Sequence, residues 1–243
     1  MGFLDHLFGT SKLDHMPLKW DMHNHILFGI DDGSKNIEYS LDMAKSFIDL
    51  GFERIIATPH IMSDYYPNNR AVIEDKKNQL ELALAENHLN LKIDFAAEYY
   101  MDEVFYDLIK SKGDVLTFHS NHVLVETSFM NKPVFFNQLL FEVKTAGYMP
   151  VLAHPERYIY LQDDYEEAER ILDIGVKFQI NLMSLASYYS PMAKKFAQWL
   201  IKNGHYHFLG TDAHSINHLK VVKEVLGSKL FSQIDFNKVE NAK

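Results

Sequence analysis

The chain has 243 residues, a formal net charge of −9 and no cysteine. Without cysteine there are no disulfides, zinc–thiolate sites, iron–sulfur clusters or thiol nucleophiles, which excludes the common cysteine-based tyrosine phosphatases. The acidic balance argues against nucleic-acid binding, which needs a basic face, and no apolar run reaches the ~20 residues of a membrane-spanning helix.

Residues 1–17 read as an extension ahead of a single domain over 18–243. Phe3, Leu4, Leu7 and Phe8 fall on one face of a short helix, suited to docking on the domain or to a partner or membrane surface. Asp5, His6 and Gly9 interrupt these apolar residues and no basic segment precedes them, so the segment does not read as a secretory signal and a cytoplasmic location is expected.

Strand and helix signals then alternate. Residues 18–25 open as a strand, and 37–50 carry helical apolar spacing (Ile37, Leu41, Ala44, Phe47, Ile48) with Gly51 as the stop. Strand then helix follow over 54–60 and 70–89, then 92–98 and 102–111, then 122–127 and 134–146. The same order continues over 149–154 and 165–174, then 177–181 and 191–203, and finally 207–212 and 216–226. Such alternation predicts a parallel sheet, because a helical crossover is the usual return path. Seven units in one domain predict a closed or nearly closed α/β barrel. No glycine-rich nucleotide fingerprint follows the first strand, which counts against an open doubly wound sheet.

The predicted strand ends carry the chemistry. The first ends in His23-Asn24-His25, the second in Thr58-Pro59-His60, the third in Glu98, the fourth in Glu126, the fifth in His154-Pro155 and the seventh in Asp212-Ala213-His214. A lone histidine at a strand end is more often hydrogen-bonded than metal-bound, and a lone acid there often caps the next helix. Asp32 before Gly33 reads equally well as a turn residue. These bland readings do not combine well, since they leave several carboxylates crowded at one mouth, where they repel unless protons or cations neutralise them. A metal cluster at the C-terminal end of the barrel resolves the conflict. Side chains alternate along a strand, so His23 and His25 share one side. Imidazole and carboxylate without thiolate suit manganese, iron or zinc better than calcium or magnesium. His6, His15, His88, His119, His122, His205 and His207 show no motif context and read as ordinary surface or core residues.

HNH, TPH, AHPER and TDAH, in this order, resemble the four signature motifs of the PHP (polymerase and histidinol phosphatase) superfamily of phosphoesterases. The segment DMHNHILFGIDDGS, residues 21–34, is similar to the opening of its capsule-type bacterial protein-tyrosine phosphatases. The resemblance spans about residues 18–226 and implies a distorted (β/α)7 barrel of the PHP type with three divalent metal ions, manganese first and iron or zinc as alternatives. It implies that His23, His25, Glu98 and Asp212 hold one metal, that Glu98, Glu126 and His154 hold a second, and that Asp32, His60 and His214 hold a third. Arg157, in HPER, would contact the substrate phosphate; its bland reading is an ion pair with a neighbour such as Glu156. The implied activity is dephosphorylation of the phosphotyrosine tail of a bacterial tyrosine kinase of capsule or exopolysaccharide synthesis, by metal-activated hydroxide, at or near the inner membrane through that partner.

The chain departs from the family in one place. A second phosphate-binding arginine is expected shortly after TDAH, but residues 215–220 read SINHLK. His218 or Lys220 is the candidate substitute, although an ammonium cannot copy the bidentate grip of a guanidinium. Asp212 or His218 is the candidate proton donor to the leaving group. Tyr65 and Tyr66, in the loop after the second strand, are placed to stack on a substrate ring or to pack the loop on the barrel. The alternatives are a histidinol-phosphate or other small-molecule phosphatase, a nucleic-acid phosphodiesterase and a non-catalytic partner-binding barrel.

Overall fold

The structure, a computed structural model, describes residues 15–243; the face predicted over Phe3, Leu4, Leu7 and Phe8 lies outside the described residues. Strands and helices alternate as expected, but the strands are short and two of them are broken. β1 (Trp20–Asp21) leads to α1 (Ile37–Asp49). The strand predicted over 54–60 divides into β2 (Arg54–Ala57) and β3 (His60–Ile61), followed by α2 (Arg70–Glu86). That over 92–98 divides into β4 (Lys92–Phe95) and β5 (Glu98–Tyr100), followed by α3 (Glu103–Lys110). β6 (His122–Glu126) precedes α4 (Phe136–Thr145), and β7 (Met149–Ala153) precedes α5 (Ile159–Gln162) and α6 (Tyr165–Asp173). β8 (Lys177–Asn181) precedes α7 (Pro191–Asn203), and β9 (Phe208–Gly210) precedes α8 (Ile216–Val225).

The breaks divide the barrel wall into a three-stranded parallel sheet, β1-β2-β4, and a six-stranded parallel sheet, β3-β5-β6-β7-β8-β9. Pro59 has no N–H for a ladder, so the second strand cannot run straight through it. Bonds from Ala96 N to Ala57 O (2.8 Å) and from Glu98 N to Pro59 O (3.1 Å) span the jog and keep the wall continuous. The ring closes between its first and last units through a parallel bridge of Asn24 with Ala213. There Asp212 N donates to His23 O (2.7 Å) and His25 N to Ala213 O (3.0 Å). At the other end of the barrel Asn241, near the C-terminus, ties β1 to β9. Its Nδ2 donates to Trp20 O (3.0 Å) and Leu209 O (2.7 Å), and its Oδ1 accepts from Leu209 N (3.2 Å). This is the seven-unit barrel that the strand–helix alternation predicts, distorted as the resemblance to the PHP superfamily implies.

Two apolar layers follow from strand alternation. Leu124, Val151 and Ala153 point inward and join Trp20, Met22, Ile56, Phe118 and Phe208 in a plug inside the barrel. Val123, Val125 and Leu152 point outward against the helices. Glu126 therefore shares the inner side with Leu124, two residues before it, and stands above the plug. Helix starts are set by polar caps: Asn36, Asn69, Asp102, Asp164, Ser190 and Ser215 each accept from a backbone N–H in the first turn. The helix predicted from 102 begins at Glu103 because Asp102 is its cap. Met16, inside the predicted extension, is buried and donates to Leu50 O (2.8 Å), so the described end of that segment packs against the end of α1.

Candidate metal centre

The residues at the predicted strand ends converge on one mouth, with His60 and Glu98 just past the breaks, as the first residues of β3 and β5. Glu98 Oε2 lies 3.1 Å from His23 Nε2, 3.5 Å from His25 Nε2 and 3.2 Å from His60 Nδ1, and Glu98 Oε1 lies 3.0 Å from His154 Nε2. Asp212 Oδ1 faces His23 Nε2 and His25 Nε2, each at 3.4 Å. His60 Nδ1 is 2.9 Å from Glu126 Oε1, and Glu126 Oε2 is 4.0 Å from His154 Nε2. Asp32 Oδ1 lies 3.5 Å from His60 Nε2 and 3.3 Å from His214 Nε2. Three groups have ligand atoms close enough to hold an ion: His23-His25-Glu98-Asp212, His60-Glu98-Glu126 and His25-Asp32-His60-His214. The nine residues singled out as ligand candidates thus meet in space. His25 and His60 are drawn into groups beyond those the resemblance assigned them.

The imidazoles are held in defined tautomers. His23 Nδ1 is 2.9 Å from Gln179 Oε1, an oxygen that also accepts from His154 N (3.3 Å). His25 Nδ1 is 2.8 Å from Asp31 Oδ2, and His214 Nδ1 is 2.9 Å from the Asp212 carbonyl. Each partner atom accepts, so each Nδ1 carries a proton and each Nε2 faces the cluster, where a bound cation would take its lone pair in place of a second proton. Asp31 also accepts from Gly33 N (2.9 Å) and His60 N (3.2 Å), which fixes the IDDG turn beneath Asp32. A Cβ at Gly33 would lie 2.2 Å from His25 O, so this turn admits no side chain there. Likewise a Cβ at Gly210 would meet His23 Cβ at 2.9 Å and Gln179 Nε2 at 2.8 Å. His154 and Asp212 end their strands in left-handed backbone, with φ of 35° and 49°. Such conformations are costly for non-glycine residues and persist where the surrounding structure enforces them.

The electrostatics show what the cluster lacks. Burial opposes ionisation of Glu98, yet His23 and His60 hold its carboxyl well below the usual range. Asp212 is held well below as well, against burial, by His23, His214 and Arg157. Burial and His25 oppose charge on His60, but Glu98 and Glu126 push it up to about 9. His25, against its own burial, is raised well above the ordinary value by Asp31, with Asp212 and Glu98 contributing. Protons on imidazoles are therefore the available counter-charge to these carboxylates in the protein alone. Glu98 Oε2 and His60 Nδ1 are buried without a hydrogen-bond partner although they face each other. Buried acceptors left unpaired, surrounded by nitrogen and oxygen donors and no thiolate, fit divalent cations of the manganese, iron or zinc kind.

A cavity of about 410 Å³ opens onto the cluster, lined by Asp32, His60, Glu98, Glu126, His154, Asp212 and His214 on its floor and by Met62, Tyr65, Tyr66, Tyr100, Phe129, Met130 and Arg157 on its walls. A larger cavity of about 710 Å³, between α4 and α6, holds none of the chemistry. Arg157 ends the 3-10 turn Pro155–Arg157 and donates from Nη1 to Asp212 Oδ2 at 2.6 Å. Glu156 is not its partner: burial pushes the Glu156 carboxyl up to about 7, and Oε1 accepts from Asn181 N (2.9 Å) and Ser184 Oγ (2.8 Å). Tyr65 stands on the rim, 74% exposed, while Tyr66 is stacked on His60 with centroids 5.6 Å apart. The ring of Tyr66 thus backs a ligand candidate instead of standing free.

Neither His218 nor Lys220 lines the cavity. His218 Nδ1 accepts from His214 N (3.2 Å), which fixes the loop, and burial lowers its pKa; Lys220 lies exposed on α8. The structure thus does not bring a second cation to the mouth after TDAH. The residues sequence reasoning missed are those that act through others: Asp31, Gln179, Asn181, Phe129 and Tyr189. Gln179 did leave a signal, as a polar residue between Phe178 and Ile180 in the middle of a buried strand.

A parallel α/β barrel with a shared imidazole–carboxylate cluster at its C-terminal mouth defines a metal-site barrel of the PHP type. The chain belongs to the capsular polysaccharide synthesis family CpsB/CapC, whose profile matches residues 19–222. It is 30% identical over 228 residues to the tyrosine-protein phosphatase YwqE of Bacillus subtilis strain 168, covering 91% of this chain and 89% of that protein. It is 30% identical over 196 residues to the putative tyrosine-protein phosphatase CapC of Staphylococcus aureus, covering 81% and 77%. A solved chain from the work on YwqE of B. subtilis and CpsB of Streptococcus pneumoniae, described as unique metal-dependent tyrosine phosphatases, superposes with a TM-score of 0.77 at 30% identity. That match covers 88% of this chain and 90% of the other. Histidinol phosphate phosphatase from Lactococcus lactis, solved with zinc, L-histidinol and phosphate, shares the fold at a TM-score of 0.51 and 17% identity, covering 86% and 92%.

Proposed function

We propose that this chain is a metal-dependent protein-tyrosine phosphatase that dephosphorylates the phosphotyrosine tail of a bacterial tyrosine kinase of capsule or exopolysaccharide synthesis, with three divalent ions, manganese first. The observation that carries the reading is Glu98, a fully buried carboxylate within 3.5 Å of four imidazoles at the foot of a cavity walled by aromatic and methionine side chains. His23, His25, Glu98 and Asp212 would hold one ion, Glu98, Glu126 and His154 a second, and Asp32, His60 and His214 a third, each imidazole serving one ion through its single lone pair. Bound there, divalent cations acidify water and neutralise phosphoryl charge.

The chain's own groups do the rest. Arg157 offers the guanidinium nitrogens not engaged by Asp212 to a phosphoryl oxygen, a charge-assisted contact that strengthens as charge builds in the transition state. Met62, Tyr65, Phe129 and Met130 take the phenyl ring, and the cavity has the scale of a small-ligand site (roughly 300–1,000 Å³). Asp212 is ionised and held by Arg157 and Asn181, so it orients and does not donate a proton. A phenol leaves with a pKa of about 10, so strong acid assistance is not needed and solvent supplies the proton.

Metal analysis combined with turnover of a phosphotyrosyl peptide, histidinol phosphate and a labelled oligonucleotide tests this. The peptide is expected to be the preferred substrate, and Glu98→Gln to lose both turnover and bound metal while remaining folded. Preference for the metabolite, or cleavage of the oligonucleotide, would replace the reading, and hydrolysis of no phosphoester by metal-loaded protein would leave partner binding as the role.

A further inference from the structure

Arg157 is held on three sides. Its guanidinium carbon lies 4.3 Å from the centroid of Phe129 and 4.1 Å from that of Tyr189, and Nη1 is bound to Asp212 Oδ2. Both ring distances are well inside the ~6 Å over which an aromatic face attracts a cation. Each ring has its own anchor. Tyr189 accepts at its hydroxyl oxygen from Asn181 Nδ2 (2.8 Å) and meets Tyr188 edge-on at 5.2 Å. The turn that delivers it follows the 3-10 segment Leu182–Ala186, where Ser187 adopts φ of 62°. Phe129 stacks on the buried ring of Tyr158 at 5.9 Å. Among the described residues lining the mouth there is no lysine and no second arginine.

We propose that Tyr189 is a positioning residue, clamping Arg157 against Phe129 so that the free edge of the guanidinium is presented to the phosphoryl group. This rests on Arg157 being the phosphate contact. An arginine side chain loses much rotamer freedom when it binds, and one already wedged between two rings has lost that freedom beforehand. The hydroxyl makes only a long bond to Asp212 Oδ2 (3.4 Å), so the ring face against the guanidinium supplies the clamp.

The test is calorimetric binding of inorganic phosphate to manganese-loaded protein, with manganese stoichiometry measured alongside. The proteins are the parent, Arg157→Ala, Tyr189→Leu, Tyr189→Phe and the Arg157→Ala/Tyr189→Leu double variant. Tyr189→Leu is expected to weaken phosphate binding by roughly 2- to 30-fold, the span from an exposed to a desolvated cation–ring contact, with manganese unchanged. Tyr189→Phe keeps the ring and is expected to bind phosphate close to the parent. In the Arg157→Ala background Tyr189→Leu is expected to add nothing, because the ring acts only through the arginine. Phosphate binding by Tyr189→Leu equal to the parent, an undiminished further loss in the double variant, or loss of manganese in Tyr189→Leu would each overturn the clamp. If Arg157→Ala itself binds phosphate like the parent, the phosphate role of Arg157 fails first, a result distinct from failure of the clamp alone.

Discussion

Replacing Asp31 by asparagine isolates the contribution of a residue that touches no candidate ion but orients an imidazole that does. Asp31 Oδ2 accepts from His25 Nδ1 at 2.8 Å and also from His60 N, while Oδ1 accepts from Gly33 N. Asparagine keeps the shape and one carbonyl oxygen but loses the charge, and its amide cannot accept from all three donors. Alanine would be a poorer probe, because each buried donor left without a partner costs about 1–3 kcal/mol and the fold itself would suffer. Loss of the orienting carboxylate behind a metal-binding histidine commonly weakens metal by 10- to 100-fold, about 1.4–2.7 kcal/mol. Titration of metal-free Asp31→Asn with manganese at fixed pH should show a drop of that order, with the metal-free melting curve little changed. Affinity equal to the parent would mean that the tautomer of His25 is set by something other than Asp31, and the lone-pair argument for the cluster would fall with it.

Two further outcomes concern stability. His207 is pushed down to about 4, mainly by burial, and its neutral Nδ1 accepts from Phe178 N (3.2 Å). The unfolded state, with an ordinary value near 6.5, therefore binds more protons between pH 6.5 and 4, so this contribution is complete above pH 6.5 and is lost as pH falls toward 4. Urea unfolding at pH 7 and pH 4.5 should show a loss that is smaller by about 1–2 kcal/mol in His207→Asn, whose amide oxygen can accept without being protonated; equal losses would contradict the assignment. Asn241→Ala removes three side-chain bonds between β1 and β9. It should cost about 2–4 kcal/mol, a fall in Tm of roughly 5–15 °C, and a melting point within a degree of the parent would show that the barrel does not depend on this tie.

The sequence alone determined the barrel and the inventory of the mouth. Strand–helix alternation, the period of two along a strand and the position of His25, His60, Glu98, Glu126, His154 and Asp212 at the close of successive apolar runs are local properties, and local properties survive being read in one dimension. Tertiary structure decided how those groups share their work. Glu98 serves four imidazoles at once, and Arg157 pairs with Asp212, 55 residues away, instead of with its neighbour Glu156. Asn241 joins strands from both ends of the chain, and Tyr189 reaches Arg157 only after the turn at Ser187. His218 and Lys220 carry suitable chemistry close to the last motif, yet α8 directs neither into the cavity. Such pairings depend on which side chains packing brings within a few ångströms, and sequence separation carries no record of that distance.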